Sequence, residues 1–391
     1  MWQEEPAPVA VGIPVPQRLN CIAVVPQGLE QAAAEELQEL GASGMKTLRR
    51  AVGFQADLAS FYRAQRRARL PFRLLRQLGS FPCRSREDLY WGVQRCIDWE
   101  PWLKPELSLR VDATGSAPGL NHSHYSALQV KNALVDWQQQ RWGERSSVDL
   151  EQPDLSFHIH LGGGQATLSI DGSGESLHRR GYRPRMGLAP LKENLAAGLI
   201  RLTGWDGSVP LADPLCGSGT LLLEAACMAL KRHSGLDRSF ALEQWPDFEP
   251  TLWAQETAAA EAEASDRPLP AIVGNEVDRS VLDDARANSI GAGLEQVIQW
   301  QQGDCRNFVP PEGPGVLVCN PPYGERIGER DALEPLYSEL GAMVKERCSG
   351  WNLWLLSGNP ELTGALRMKA SRRIPVSNGG IDCRWLHYEI R

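Results

Sequence analysis

The chain has 391 residues, 42% of them hydrophobic and 23% charged, which is enough for two or three domains with cores of their own. Its net charge of −7 excludes a protein that coats nucleic acid indiscriminately, and its longest apolar runs fall well short of the roughly 20 residues a bilayer helix requires, so no membrane partner is expected. Nine cysteines without a CxxC pair suggest neither a disulfide framework nor a metal site, and they fit a reducing cytoplasm.

Residues 1–18 carry Glu4 and Glu5 where a signal peptide needs positive charge, and four prolines forbid a helical apolar segment, so a disordered lead is expected. LNCIAVVP then reads as a strand and GLEQAAAEELQEL as an amphipathic helix. MKTLRRAVGFQAD reads as two short strands meeting near Gly53, followed by a helix over 58–68. After PFRLLRQLGSF the pattern restarts. It gives a helix near SREDLYWGVQRCI, a strand LSLRVDATG, a long helix YSALQVKNALVDWQQQRWG, and a hairpin of SFHIHL with QATLSIDGSG across a Gly-Gly-Gly turn. These are two α+β units in series, over 19–75 and 76–171, with a Gly/Arg/Pro-rich connector over 172–188.

Arginines cluster in this half. Arg63, Arg66, Arg67, Arg69, Arg73 and Arg76 crowd one segment and Arg179, Arg180, Arg183 and Arg185 another, either as solvated faces or as phosphate contacts. Residues 1–190 hold 22 Lys and Arg against 20 Asp and Glu, whereas residues 191–391 hold 19 against 28. RNA-binding candidates are therefore placed at Arg179, Arg180 and Arg183, and residues 186–391 alone are expected to bind a cofactor but to be a poor enzyme on a polyanion.

From residue 189 apolar strands alternate with helices: VPLADPL, AIVGNEV, VIQWQQGD, GVLVCNPP and WNLWLLSG, each but the third followed by a helical pattern. This predicts an α/β fold with a doubly wound, mostly parallel sheet over 189–391. Residues 233–268 interrupt it and read as a helical excursion on the surface.

Four strand ends carry polar residues where open α/β sheets bind ligands. LADPLCGSGT places Asp213 before a turn in which Gly217 and Gly219 let backbone N–H groups approach an anion at a helix start. GNEVD offers Glu276 to the two hydroxyls of a ribose, with Asp278 beside it as a helix cap. QGDC offers Asp304 to an adenine amino group. CNPPY ends in Asn320, Pro321, Pro322 and Tyr323, a segment whose prolines can continue neither a central strand nor a helix. Together they describe a nucleoside site with a charged tail and a reaction centre beside it.

The half from 189 to 391 resembles S-adenosylmethionine-dependent methyltransferases that act on exocyclic amines. More closely, LHRRGYRPR, APLKENLAAGLI, DPLCGSGTLLLEAA, CNPPYGERIG and WNLWLLSGNPEL resemble the bacterial large-subunit rRNA guanine-N2 methyltransferases, over nearly all of the chain from Leu19. The resemblance implies a Rossmann-like methyltransferase domain preceded by ferredoxin-like and THUMP domains, the latter an RNA-binding module. It also implies S-adenosyl-L-methionine as cofactor, held by Asp213, Cys216, Gly217, Ser218, Gly219, Thr220, Glu276, Asp278, Asp304 and Asn320. The catalytic loop would be Asn320, Pro321, Pro322 and Tyr323, and the partner 23S rRNA or a large-subunit precursor. Glu276 departs from the Asp of many relatives but keeps the carboxylate.

Chemistry supports the loop's role. A guanine N2 lone pair is delocalised into the ring, and two acceptors holding its N–H groups, the Asn320 Oδ1 and the Pro321 carbonyl, would turn it towards an electrophile. Tyr323 would stack on the flipped base. Other functions compatible with these residues are a tRNA guanine-N2 methyltransferase, a DNA adenine-N6 methyltransferase, and an RNA-binding assembly factor with an inactive methyltransferase fold. No motif speaks to oligomeric state.

Overall fold

In the computed structural model, described over residues 17–183, 191–233, 235–324 and 329–391, two seven-stranded sheets carry the chain. The expected lead lies almost wholly outside these residues, as does the end of the connector with Arg185.

The first sheet is built from β1 (Leu19–Val24), α1 (Glu30–Glu39), β2 (Ser43–Leu48), β3 (Ala51–Ala56), α2 (Leu58–Arg67) and β4 (Arg73–Pro82). It continues with α3 (Arg86–Arg95), β5 (Leu109–Gly115), α4 (Ser123–Trp142), β6 (Leu155–Gly162) and β7 (Gln165–Asp171), in the order β2-β3-β1-β4-β7-β6-β5. Strand β4 joins its two parts. Arg73–Arg76 pair antiparallel with β1, and residues from Leu75 to Pro82 pair with β7. The two units expected in series thus share a strand, and it is the stretch that periodicity left unassigned. Leu74, Leu75 and Arg76 are buried in succession, so the segment lacks the alternation of a half-exposed strand. The β2–β3 turn also falls elsewhere than expected: Leu48 pairs with Ala51, and Arg50 takes φ 60, a conformation that a Gly-based reading shifts to Gly53. The β6–β7 turn does use glycine, with Gly163 and Gly164 both at positive φ.

The second sheet follows α5 (Glu193–Thr203). Its elements are β8 (Leu211–Asp213), α6 (Thr220–Ala229), α7 (Pro250–Glu263), β9 (Ile272–Glu276), α8 (Arg279–Gly291), β10 (Ile298–Gln302) and β11 (Val316–Cys319). They end with α9 (Glu329–Arg347), β12 (Asn352–Ser357), α10 (Pro360–Ala365), β13 (Arg372–Asn378) and β14 (Ile381–Glu389). The order is β10-β9-β8-β11-β12-β14-β13, with the first five strands parallel and β14 antiparallel to β12. All of β11 is buried, as a central parallel strand should be.

The segment 233–268 is not a surface excursion. Phe240, Leu242, Trp245 and Trp253 are buried in the core of the first sheet, and Trp253 meets Tyr62 edge-on at 5.2 Å between ring centroids. The arginines of α2 and β4 hold it there. Arg63 pairs with Glu256 at 2.7 Å, Arg67 with Glu263, Arg76 with Asp247, and the Arg66 guanidinium lies 3.9 Å from the Trp253 ring centroid. Arg69 and Arg180 converge on Glu224 of α6, and Arg73 pairs with Asp171. The first arginine cluster is therefore neither a solvated face nor a phosphate track; its cations are spent inside the protein, largely between its halves. Leu29, from the first half, belongs to the core of the second. Residues 186–391 alone would bare these surfaces.

Candidate functional site

The strand order sets Asp304, Glu276, Asp213 and Asn320 at or just beyond the C-terminal ends of β10, β9, β8 and β11, four neighbours in the sheet. The direction of strand succession reverses between β8 and β11, so Asp213 and Asn320 flank the topological switch point.

Asp213 is buried, and its Oδ1 accepts the Leu215 N–H at 3.0 Å, turning the chain into residues 216–220. Burial, aided by the charge of Glu276, pushes its carboxyl up to about 8. Gly217 (φ 53) and Gly219 (φ 82) both take left-handed conformations, for different reasons. A Cβ on Gly217 would meet nothing within 4 Å, whereas one on Gly219 would lie 2.4 Å from the Trp300 ring. Gly217 thus keeps an approach open, while Gly219 makes room for an aromatic. Their amides are already engaged, Gly217 N–H to Glu276 Oε2 at 3.1 Å and Gly219 N–H to the Cys216 carbonyl at 2.9 Å. An anion would meet the first turn of α6 rather than these two amides.

Glu276 Oε1 accepts the Asp278 N–H at 3.0 Å, so both carboxylate oxygens are fixed while each retains a further lone pair. Asp278 itself is exposed and caps α8 through Ser280 and Val281, which holds its carboxyl below the usual range; it touches the site only through its amide. Asp304 accepts the Arg306 amide at 2.9 Å and the Arg306 guanidinium, which likewise depresses its carboxyl. The Cys216 thiol is buried, which pushes it well above the usual range, and Ser218 contributes its carbonyl, which accepts from Asn288 Nδ2 at 3.1 Å.

Two asparagines outside the expected set lace these loops together. Asn275 Nδ2 donates to the carbonyls of Pro214 and Gly303, tying the ends of β8 and β10 to β9, and Asn288 is 1% exposed beneath residue 218. Their signal in the sequence was a polar amide inside the apolar strand AIVGNEV and another in the helix, where burial demands hydrogen-bond partners.

The loop after β11 is anchored on both sides. The Pro322 carbonyl accepts the hydroxyl of buried Tyr337 at 3.0 Å, and the Tyr323 carbonyl accepts from Asn359 Nδ2 at 3.4 Å. Pro321 is buried and Pro322 exposed. The Tyr323 hydroxyl donates to Asn320 Oδ1 at 2.6 Å, and its ring rests against Gly358. Burial pushes that hydroxyl well above its usual range, so it stays a donor at any ordinary pH.

The three arginines expected on RNA separate here. Arg183 Nη2 donates to Thr220 Oγ1 at 2.6 Å and its Nε lies 2.9 Å from Glu193, a brace beneath the residue 216–220 loop. Arg180 is buried and donates to the carbonyls of Leu177 and Arg69. Neither can reach a phosphate in this arrangement, because both side chains are buried and face Glu224 and Glu193 instead of solvent. Arg179 alone is exposed, paired with Glu175 at 2.8 Å. Among the described residues no His, Cys, Asp or Glu cluster could hold a metal ion, and no helix is long and apolar enough to cross a membrane.

Comparison with known proteins agrees with this architecture. Residues 180–387 match the RMKL-like methyltransferase domain family, residues 83–171 the THUMP domain, and residues 20–75 the RlmL ferredoxin-like domain. A Synechocystis sp. protein named "Putative RNA methyltransferase" is 44% identical, over 94% of this chain and 96% of its own. The ribosomal RNA large subunit methyltransferase K/L of Photobacterium profundum is 38% identical over 93% of this chain but 52% of its own, so the chain spans about half the length of that relative. A crystal structure titled as "a putative methyltransferase complexed with SAH" superimposes with a TM-score of 0.86 at 29% identity, covering 96% of this chain and 99% of its own. With its ferredoxin-like and THUMP domains in front of the sheet that carries Asp213 and Asn320, the chain belongs to the RMKL-like methyltransferase family.

Proposed function

We propose that the chain is a cytoplasmic S-adenosylmethionine-dependent methyltransferase that adds a methyl group to the exocyclic N2 of a guanine in 23S rRNA. The observation that carries this reading is the row of polar strand ends, with Asn320 at the start of a doubly anchored loop beside a cradle that could seat the cofactor. The cradle suits that group chemically. Gly217 faces open space, Glu276 holds spare acceptor capacity for two ribose hydroxyls, and Asp304 lies one strand further for an adenine amine. The THUMP match and the rRNA methyltransferase named above support RNA as substrate.

When bound, the cofactor supplies an electrophilic methyl on a sulfonium. The chain's own task is to aim the amine. Asn320 Oδ1 and the Pro321 carbonyl would accept the two N2 hydrogens, holding the nitrogen lone pair out of the ring plane. The Tyr323 hydroxyl now occupies Oδ1 and would yield one lone pair to the amine, leaving its ring to border the base. No basic side chain is required: methylation makes the amine acidic, and its proton passes to water as S-adenosylhomocysteine is left behind.

Labelled methyl from S-adenosylmethionine is expected to enter deproteinised 23S rRNA and not tRNA; the reverse would assign the chain to tRNA. In parallel, Glu276→Ala is expected to weaken cofactor binding about ten- to hundredfold, the scale of hydrogen bonds to a charged acceptor, as read by titration calorimetry. An unchanged Kd would place ribose recognition elsewhere.

A further inference from the structure

Apart from exposed Arg179, the described arginines that composition singled out are consumed by internal contacts, which raises the question of where unspent positive charge lies. Residues 362–381 answer it: in a half rich in acid they contain Arg367, Lys369, Arg372 and Arg373 and no Asp or Glu. This stretch runs from α10 into β13 and borders a cleft of about 1050 Å³.

One wall of the cleft is the β13–β14 hairpin. Arg373 and Pro375 share a face with Asp382 and Arg384, since Pro375 pairs with Arg384 and Ser377 with Asp382. The opposite wall comes from the ferredoxin-like domain, through Gly28, Glu30 and Arg49. The walls are stitched together where the Ser377 N–H donates to the Gln27 carbonyl at 3.1 Å; a Cβ on Gly28 would lie 2.2 Å from the Pro375 carbonyl oxygen. The cleft is thus a fixed feature of how the two domains dock.

Arg49, Arg373 and Arg384 are all exposed on it, and none of their side chains has an ion pair or hydrogen-bond partner among the described residues, in contrast to the paired arginines of α2 and β4. Of its acids, Glu30 is spent on the Gly28 and Arg50 amides at 2.8 and 2.9 Å, leaving Asp382 as the counterweight. The cleft comes within one residue of the candidate reaction centre, because Gly358 lines it and also lies against the Tyr323 ring.

We propose that this cleft takes the RNA strand flanking the target nucleotide, with Arg49, Arg373 and Arg384 on its phosphates. The proposal rests on the reading of the chain as an RNA methyltransferase. Three unpaired guanidiniums suit a polyanion, since each neutralised phosphate releases counterions. Proximity to Tyr323 through Gly358 makes the occupant the nucleotides next to the flipped base rather than a separate ligand. The volume also slightly exceeds the upper end of ordinary small-molecule sites.

The test is the full-length triple variant Arg49→Ala, Arg373→Ala, Arg384→Ala, assayed with deproteinised 23S rRNA across a salt series. The KM for rRNA is expected to rise at least tenfold at physiological salt. The logarithmic salt dependence of binding should flatten by about 2, at roughly 0.7 per single-strand phosphate contact. The thermal midpoint and the cofactor Kd should match the parent, since the three guanidiniums make no ion pair or side-chain hydrogen bond among the described residues. If the parent binds and methylates the rRNA while the variant keeps both KM and salt slope, the cleft is not the RNA path. If the parent itself neither binds nor methylates rRNA, the underlying reading falls and takes this one with it. Loss of cofactor binding or of thermal stability in the variant would overturn the assignment by showing a structural role for these arginines.

Discussion

Replacing Asn320 by Ala is expected to lower kcat by roughly 10²- to 10³-fold, the scale for removing one preorganised polar contact to a reacting group, while the Kd for S-adenosylmethionine stays unchanged. The side chain stands at the switch point of the sheet, and its loop is tied down at the Pro322 and Tyr323 carbonyls, so the backbone should hold its path when the amide is lost. Single-turnover methyl transfer separates the two parameters; an equal loss of rate and cofactor affinity would mean that Asn320 builds the pocket instead of aiming the amine. Tyr323→Phe belongs in the same assay. Read from sequence as a stacking ring, Tyr323 should tolerate loss of its hydroxyl. The 2.6 Å bond to Asn320 Oδ1 makes that hydroxyl an orienting group, and a fall of about fivefold in kcat/KM is expected, about 1 kcal/mol for a single hydrogen bond.

Asp247→Ala is expected to destabilise the folded chain by about 3–5 kcal/mol, read as a shift in the denaturant midpoint. The Arg76 side chain is 7% exposed and that of Asp247 1%, and the Arg76 guanidinium lies over the Trp102 and Trp245 rings. Removing the carboxylate would leave a cation buried among aromatics without a counter-charge, the costliest way to break such a pair. Asp247→Asn should recover part of the loss by keeping one acceptor. A destabilisation below 1 kcal/mol for the alanine variant would mean that water or another carboxylate reaches Arg76, and that the contact does not hold the halves together.

The central strands of the second sheet were legible because they are short apolar runs ending in polar residues, and parallel strands buried on both faces leave that trace. The candidate site residues could be placed for the same reason: Asp213, Glu276 and Asn320 each follow such a run, whereas Asp304 follows the polar edge strand IQWQQ. What stayed hidden depends on contacts distant in sequence. Trp245 and Trp253 carry no sign of which core they enter; in an Ala/Glu-rich stretch they read as surface until the Arg66 and Arg76 partners are seen. Strand β4 lost its periodicity by being central to its sheet. The β13–β14 hairpin went unread although Asn378, Gly379 and Gly380 mark its turn, because Pro375 and four cations in and before it argue against a strand; the edge position of β13 makes both tolerable. Charge counted by halves pointed at arginines that include buried, paired ones, since composition does not distinguish a cation facing water from one facing Glu224.

The most direct test of the central claim is the identity of the methylated nucleoside. Unmethylated 23S rRNA, incubated with the purified chain and isotopically labelled S-adenosylmethionine and then digested to nucleosides, should carry its label in N2-methylguanosine by mass spectrometry, and Asn320→Ala should slow the appearance of that peak at least about 10²-fold. Label in N6-methyladenosine, or none in rRNA from a protein that binds both cofactor and RNA, would contradict the account.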